Sequence, residues 1–184
     1  MIPAAPLATA RTRIRLGTEA DAGMLLRYRT ANRDHLVPWE PLREDAYYTL
    51  EHCRWMLAEG ELAARQDRSY PFLAFTPDED GVIASFTLAN VVRGAFQACH
   101  LGYAVDARWQ GRGLMHEVLQ AGLAWAFGPL GLHRVMANHM PRNRRSERLL
   151  QRLGFEREGY AKAYLQIAGT WEDHVLTAKI APSP

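Results

Sequence analysis

The sequence predicts a single α+β domain: a mixed, mostly antiparallel sheet of about seven strands with one parallel crossover. Three observations predict it. Short β-rich runs are separated by turn residues, two helical patterns occupy the front third, and one strand, glycine loop, helix and strand follow in succession past the middle. Residues 1–10, broken by prolines, read as a flexible tail ahead of one domain over 11–181. Residues 13–16 form a short strand, and residues 19–36 carry helix formers that stop before Pro38, because a residue preceding proline is pushed out of the helical region. A loop follows. Residues 46–65 read as a second helix, with Leu50, Cys53, Leu57 and Glu61 at helical spacing. Strands 72–75 and 82–91 flank Pro77-Asp78-Glu79-Asp80-Gly81, which has the residues of a hairpin turn. Residues 98–105 continue as a strand. Leu114, Val118, Ala121 and Trp125 then share one helix face, ending near Gly128-Pro129, with Trp125 in the core. Residues 133–140 make the next strand and 143–153 a helix closed by Gly154; strands 160–167 and 170–178 turn at Ala168-Gly169. No internal repeat or linker interrupts this order.

The stretch Arg108-Trp109-Gln110-Gly111-Arg112-Gly113-Leu114-Met115 lies between a strand and a helix. Two closely spaced glycines let the chain turn tightly and approach a ligand, and the free N–H groups of the following helix favour an anion. The crevice beyond the carboxyl end of a parallel strand is also where ligands of α/β sheets bind. A nucleoside-triphosphate loop needs Gly-Lys-Ser/Thr, whereas here Leu114-Met115 follow the glycines. A dinucleotide fold would place its glycines after the first strand, which this chain does not. A pyrophosphate held mainly by backbone N–H groups remains, with Arg108 and Arg112 able to meet further phosphate charge. Coenzyme A fits that description.

Composition narrows the class. The 22 basic and 20 acidic residues leave a net charge of +2, too weak a field to imply nucleic acid by itself. Cys53 and Cys99 have no metal-ligand spacing, so neither zinc nor a disulfide framework is indicated. No apolar run reaches membrane-spanning length and residues 1–10 lack a signal-peptide pattern, which reads as a soluble cytoplasmic protein.

Arg108-x-x-Gly111-x-Gly113 after a strand, with Asn143-x-x-Ser146 opening the next helix, resembles the GCN5-related N-acetyltransferases over nearly the whole chain. Further blocks run in the same order: Pro38-Trp39-Glu40-Pro41, Asn90-Val91-Val92-Arg93-Gly94, Leu101-Gly102-Tyr103, Met136-Ala137-Asn138, Met140-Pro141, Leu153-Gly154-Phe155-Glu156, Gly159-Tyr160-Ala161-Lys162 and Trp171-x-Asp173-His174. Together they are similar to the branch that acetylates ribosomal-protein alanines. The resemblance implies that fold, with helices on both sheet faces. It also implies acetyl transfer from acetyl-CoA, without a metal, to the N-terminal alanine of a ribosomal protein, the fifth of the small subunit, by direct attack in a ternary complex. The ribosome or its assembly intermediates are further partners it suggests; no membrane and no sequence-specific nucleic-acid contact are implied. Two other readings are an acetyltransferase for a different amine and a ribosome-binding protein whose arginine face matters more than turnover.

The same resemblance assigns roles. Tyr103, Ala104 and Val105 would meet the pantetheine arm and thioester through main chain, and Arg108, Gln110, Gly111, Arg112, Gly113, Leu114 and Met115 would hold the pyrophosphate. Asn143 would contact the pantetheine; as the residue opening a helix, it is equally a cap, and Arg145, a cation at that helix start, is favoured there if an anion such as the 3'-phosphate lies nearby. Many relatives place a tyrosine acid at the position of Leu150. Ser146 is the first substitute, set against a first-turn serine bonding to backbone, with Tyr160 and Tyr164 behind it. Some relatives carry a glutamate base where this chain has Asn138. Glu172, Asp173 and His174 on the final hairpin are the alternatives; strand alternation separates Asp173 from the other two, and Asp173 is the catalytic candidate, against a purely structural hairpin role. Trp39, Tyr164 and Trp171 are the residues for an acceptor-peptide groove, against ordinary packing.

A magnitude bears on the missing glutamate. An α-amine with pKa about 7.8 is roughly 14% neutral at pH 7, a handicap of ~1.2 kcal/mol, whereas a lysine near ~10.4 faces ~4.6 kcal/mol. A weak base suffices for an N-terminus. Arg142, Arg144, Arg145, Arg148 and Arg152 crowd one helix and its approach; they suit the coenzyme's 3'-phosphate, ribosomal RNA or a solvated basic face.

Overall fold

The computed structural model describes residue 3 and residues 5–182. It contains one eight-stranded sheet: β1 (Leu7–Ala8), β2 (Arg13–Leu16), β3 (Tyr70–Phe75), β4 (Val82–Val92), β5 (Ala98–Val105), β6 (Arg134–Met136), β7 (Glu156–Ile167) and β8 (Thr170–Ile180). Their spatial order is β1-β2-β3-β4-β5-β6-β8-β7, and β5 with β6 is the parallel pair, as the crossover predicts. The helices are α1 (Ala22–Ala31), α2 (Arg33–Leu36), α3 (Leu50–Arg65), α4 (Leu114–Phe127) and α5 (Arg144–Arg152).

The sheet is covered on both faces because its strands alternate. Phe72, Phe86 and Leu101 pack with Leu114, Val118 and Leu119 of α4 and Leu150 of α5. The intervening residue Leu73 packs with Leu25 and Tyr28 of α1 and Cys53 and Leu57 of α3. Trp125 is buried in the α4 side, edge-on to Tyr70 and Phe72. α4 lies close to the sheet at Gly122, where a Cβ would stand 2.6 Å from Phe86 Cζ. Both cysteines are free and buried, and burial pushes the Cys99 thiol up to about 12. No helix among the described residues is long and apolar enough to cross a membrane.

Several boundaries differ from the sequence expectation. The segment 19–36 is not one helix: it divides at Asn32, whose side-chain amide donates both to the Tyr28 carbonyl (2.9 Å) and to Asp106 (3.2 Å). α3 begins only at Leu50, capped by Thr49, whose hydroxyl accepts the His52 amide. Within the expected tail, Leu7–Ala8 pairs with β2, while residues 1, 2 and 4 lie outside the described residues. The expected strand 133–140 shortens to three residues, for a reason that creates the site.

β5 and β6 pair only from Ala98 to His100 against Arg134 to Met136. Beyond that point the Ala137 and His139 amides donate to the Thr177 and Val175 carbonyls, so the chain after β6 follows β8 and leaves β5. Residues 101–105 keep β4 on one side and have no strand on the other. The Asp106 amide donates to the Ile83 carbonyl on β4. Alternation therefore turns the main-chain groups of Gly102 and Ala104 to β4, and those of Tyr103 and Val105 into the opening.

Candidate active site

The strand's end is anchored before the glycine loop begins. Asp106, buried, accepts from the Arg108 amide (2.8 Å) and from the Arg108 guanidinium at both oxygens (3.0 and 2.8 Å). The Arg108 guanidinium holds the Asp106 carboxyl down at about 2, against the opposing effect of burial. Asn32 completes the anchor by donating to Asp106 (3.2 Å) and accepting the Ala107 amide (2.9 Å). Arg11 fixes the other end of the loop: it bonds Glu117 through its amide and guanidinium and donates to the Arg112 carbonyl (2.9 Å). Between these anchors Gly111 (φ 70°) and Gly113 (φ 74°) take left-handed conformations that a side chain would strain. Gly113 is the N-cap of α4 and offers no side-chain cap, so the first-turn N–H groups face out.

A cleft of about 490 Å³ opens there. The open edge of β5 (Tyr103, Ala104, Val105), Gly111, Gly113, Leu114 and Met115 form one wall, and Asn143, Arg145, Ser146 and Leu149 with Arg148 and Arg152 form another. His35, Leu36 and Trp39 close the end. Gln110 spans the mouth, accepting from Arg145 (2.5 Å) and donating to His35 Nε2 (3.0 Å). Deep in the cleft the Tyr103 and Ser146 hydroxyls are 2.5 Å apart. Burial pushes the Tyr103 phenol up to about 12, partly offset by its bond to Ser146. Asn143 caps α5, its Oδ1 accepting the Ser146 amide (3.1 Å), which aims the serine side chain.

The structure thus gathers Tyr103, Ala104, Val105, Gln110, Gly111, Gly113, Leu114, Met115, Asn143, Arg145, Ser146 and Trp39 around one cleft. It does not gather the others. Arg108 is committed to Asp106, and Arg112 is exposed with its guanidinium 5.8 Å from the Trp109 ring centroid. Asp173 accepts the Tyr160 hydroxyl (2.7 Å) and the Ala163 amide (2.8 Å) across the β7–β8 bulge, so both its oxygens serve the hairpin and it lies away from the cleft. Glu172 pairs with Arg142 (2.8 Å), and His174 is buried against the Tyr164 ring. Tyr164 accepts from Asn138 (3.4 Å), and Trp171 stands exposed at the hairpin tip. Leu150, at the usual tyrosine position, is core.

Of the basic run seen in the sequence, Arg148 and Arg152 line the cleft with Arg145, whereas Arg142 and Arg144 do not. The spacing of three and then four residues puts Arg145, Arg148 and Arg152 on one face of α5. Sequence reasoning missed the Tyr103 hydroxyl, since the family resemblance implies only a main-chain role there, and Asn32, whose partner Asp106 is 74 residues away.

The donor set matches coenzyme A part by part. Uncapped N–H groups and left-handed glycines suit a diphosphate, three arginines suit a further phosphate, and an unpaired strand edge suits an amide-bearing arm. A splayed parallel pair with a diphosphate loop at its mouth and a hydroxyl pair inside defines an acyl-thioester-dependent transferase. The chain belongs to the GNAT acetyltransferases: the profile of the acetyltransferase (GNAT) domain matches residues 11–156. A relative from Escherichia coli (strain K12), the [ribosomal protein uS5]-alanine N-acetyltransferase, is 45% identical over 98% of this chain and 93% of its own. The crystal structure of ribosomal-protein-S5-alanine acetyltransferase from Vibrio fischeri superposes with a TM-score of 0.92 at 36% identity, covering 97% of this chain and 99% of that one. Mycobacterium smegmatis RimJ, solved with a coenzyme A disulfide, gives 0.86 at 32% identity over 92% of this chain and 82% of its own.

Proposed function

We propose that this enzyme transfers acetyl from acetyl-CoA to the N-terminal alanine of ribosomal protein uS5, and that it works in the cytoplasm, meeting its substrate through a free N-terminus. The observation that carries acetyl transfer is the Tyr103–Ser146 hydroxyl pair set in the cleft beside the open edge of β5. The substrate assignment is supported by the 45% identity to the uS5-alanine enzyme across nearly the full length of both chains.

Acetyl-CoA supplies an activated acyl group when bound, and the chain's own groups do the rest. First-turn N–H groups of α4 and the Arg145, Arg148 and Arg152 face hold the phosphates. The main chain of Tyr103 and Val105 orients the arm and offers hydrogen bonds to charge developing on the thioester oxygen. Tyr103, the more acidic hydroxyl, donates to Ser146 Oγ, which leaves the Ser146 proton directed at the departing sulfur. Arg142 and Arg144 lie outside the cleft, exposed and ion-paired with Glu172 and Glu147.

The test is fragmentation mass spectrometry of a lysine-containing uS5 N-terminal peptide after incubation with acetyl-CoA and enzyme. Acetyl on the alanine nitrogen is the expected result; acetyl on lysine alone, or none despite coenzyme A binding, overturns the substrate assignment.

A further inference from the structure

A second, smaller cavity of about 220 Å³ lies on the opposite face of β4 and β5, beneath α1 and α3. It shares Leu36 and Ala104 with the cofactor cleft, so the two meet at the strand edge where the thioester would lie. Trp39 and Glu40, adjacent in Pro38-Trp39-Glu40-Pro41, divide between them: Trp39 lines the cleft and Glu40 the second cavity. The Glu40 carbonyl accepts the Ala168 amide (2.9 Å), which ties this junction to the tip of the β7–β8 hairpin. We propose that this cavity receives the first residue of the acceptor polypeptide and that the Glu40 carboxylate takes the proton its α-amine gives up on attack. The proposal rests on the acetyl-transfer reading above.

Three observations support it. Tyr28 is buried with its hydroxyl at the cavity, near Ser85, yet without a hydrogen bond of normal geometry to any protein group; a polar ligand would satisfy it. The Glu40 side chain is three-quarters buried, and its ion pair with Arg43 is loose at 4.0 Å, so the carboxylate remains available. Burial raises its pKa, against the pull of Arg43, Arg29 and His35, and makes it a better base. The other charged groups lining the cavity are Arg29, Arg33 and Arg43, with Tyr47 and Tyr48 between them. Cations around an amine favour its neutral form, which is the nucleophile. The cavity's finite volume limits the size of the first residue it admits.

The step balances. The amine nitrogen bonds to the acyl carbon, the carbon–sulfur bond breaks with its electron pair on sulfur, and Glu40 gains the amine proton. The sulfur takes the Ser146 proton, and solvent resets both groups.

The experiment compares wild type with Glu40→Gln on N-terminal peptides from pH 6 to 9.5, with coenzyme A affinity measured in parallel. Glu40→Gln should lower kcat/KM by about 100-fold at neutral pH, leave coenzyme A affinity unchanged, and recover as solvent base replaces the carboxylate at high pH. A pH-independent loss, or none, overturns the role of Glu40. Independently of any variant, wild type should prefer peptides beginning with alanine, glycine or serine over those beginning with tryptophan. Equal rates overturn the cavity assignment. Absence of transfer to any N-terminal amine by wild type would instead remove the acetyl-transfer reading itself.

Discussion

Substituting Gly111 separates backbone strain from ligand electrostatics. An added Cβ would meet nothing within 4 Å, so alanine pays only for the left-handed conformation at φ 70°, which costs on the order of 1 kcal/mol. That lowers the melting temperature by roughly 2–4 °C in a domain of this size. Aspartate carries a comparable backbone cost and adds a negative charge facing the diphosphate site. One charge pair about 4 Å apart at an effective dielectric of about 20 is worth ~4 kcal/mol, or roughly a thousandfold in affinity. Gly111→Ala should therefore bind coenzyme A within about tenfold of wild type, and Gly111→Asp about a thousandfold more weakly than Gly111→Ala, with similar melting temperatures. Isothermal titration calorimetry reads the difference directly. Equal affinities for the two variants would show that the diphosphate does not lie at this loop.

Ser146→Ala should reduce kcat by about 100-fold with coenzyme A affinity unchanged, and Tyr103→Phe by less. Because Tyr103 acts through Ser146, the double variant should be no slower than Ser146→Ala, and additive losses in steady-state kinetics would refute the relay. Gly122→Ala places a Cβ 2.6 Å from Phe86 Cζ, so urea unfolding should show a loss of about 1–3 kcal/mol; unchanged stability would refute close packing of α4. Asp106 is fully buried with its pKa depressed from 3.8 to about 2. Its contribution, about 2 kcal/mol, is present in full above the unfolded value and is lost as pH falls toward the folded one. Asp106→Asn should accordingly flatten the stability profile between about pH 4 and 2, and an unaltered slope would refute the assignment.

The parts of this protein legible in its sequence are those governed by local chemistry. Gly111 and Gly113 announced a tight anion loop because their neighbours alone decide its conformation, and Leu114, Val118 and Trp125 announced α4 through spacing. The parts that were not legible depend on partners far along the chain. Asn32, where the first helix divides, bonds a carboxylate at position 106, and Asp173 is consumed by Tyr160 and Ala163 through a bulge that alternation alone does not reveal. The Tyr103 hydroxyl meets Ser146 only because α5 folds back across the mouth of the strand.

The shortening of β6 joins these results. Had residues 133–140 paired with β5 throughout, the main-chain groups of Tyr103 and Val105 would be consumed in the sheet, and no arm could lie between the strands. The amides of Ala137 and His139 avoid that loss by bonding to β8, so the divergence leaves their own backbone satisfied. The opening then exposes Ala104 to a cavity on each sheet face, one lined by cations and glycine N–H groups and the other containing Glu40. A donor bound on one side and an amine on the other would meet at a strand edge that neither has to displace. That arrangement accounts for direct attack better than two sites on one face, where both ligands would compete for the same backbone groups.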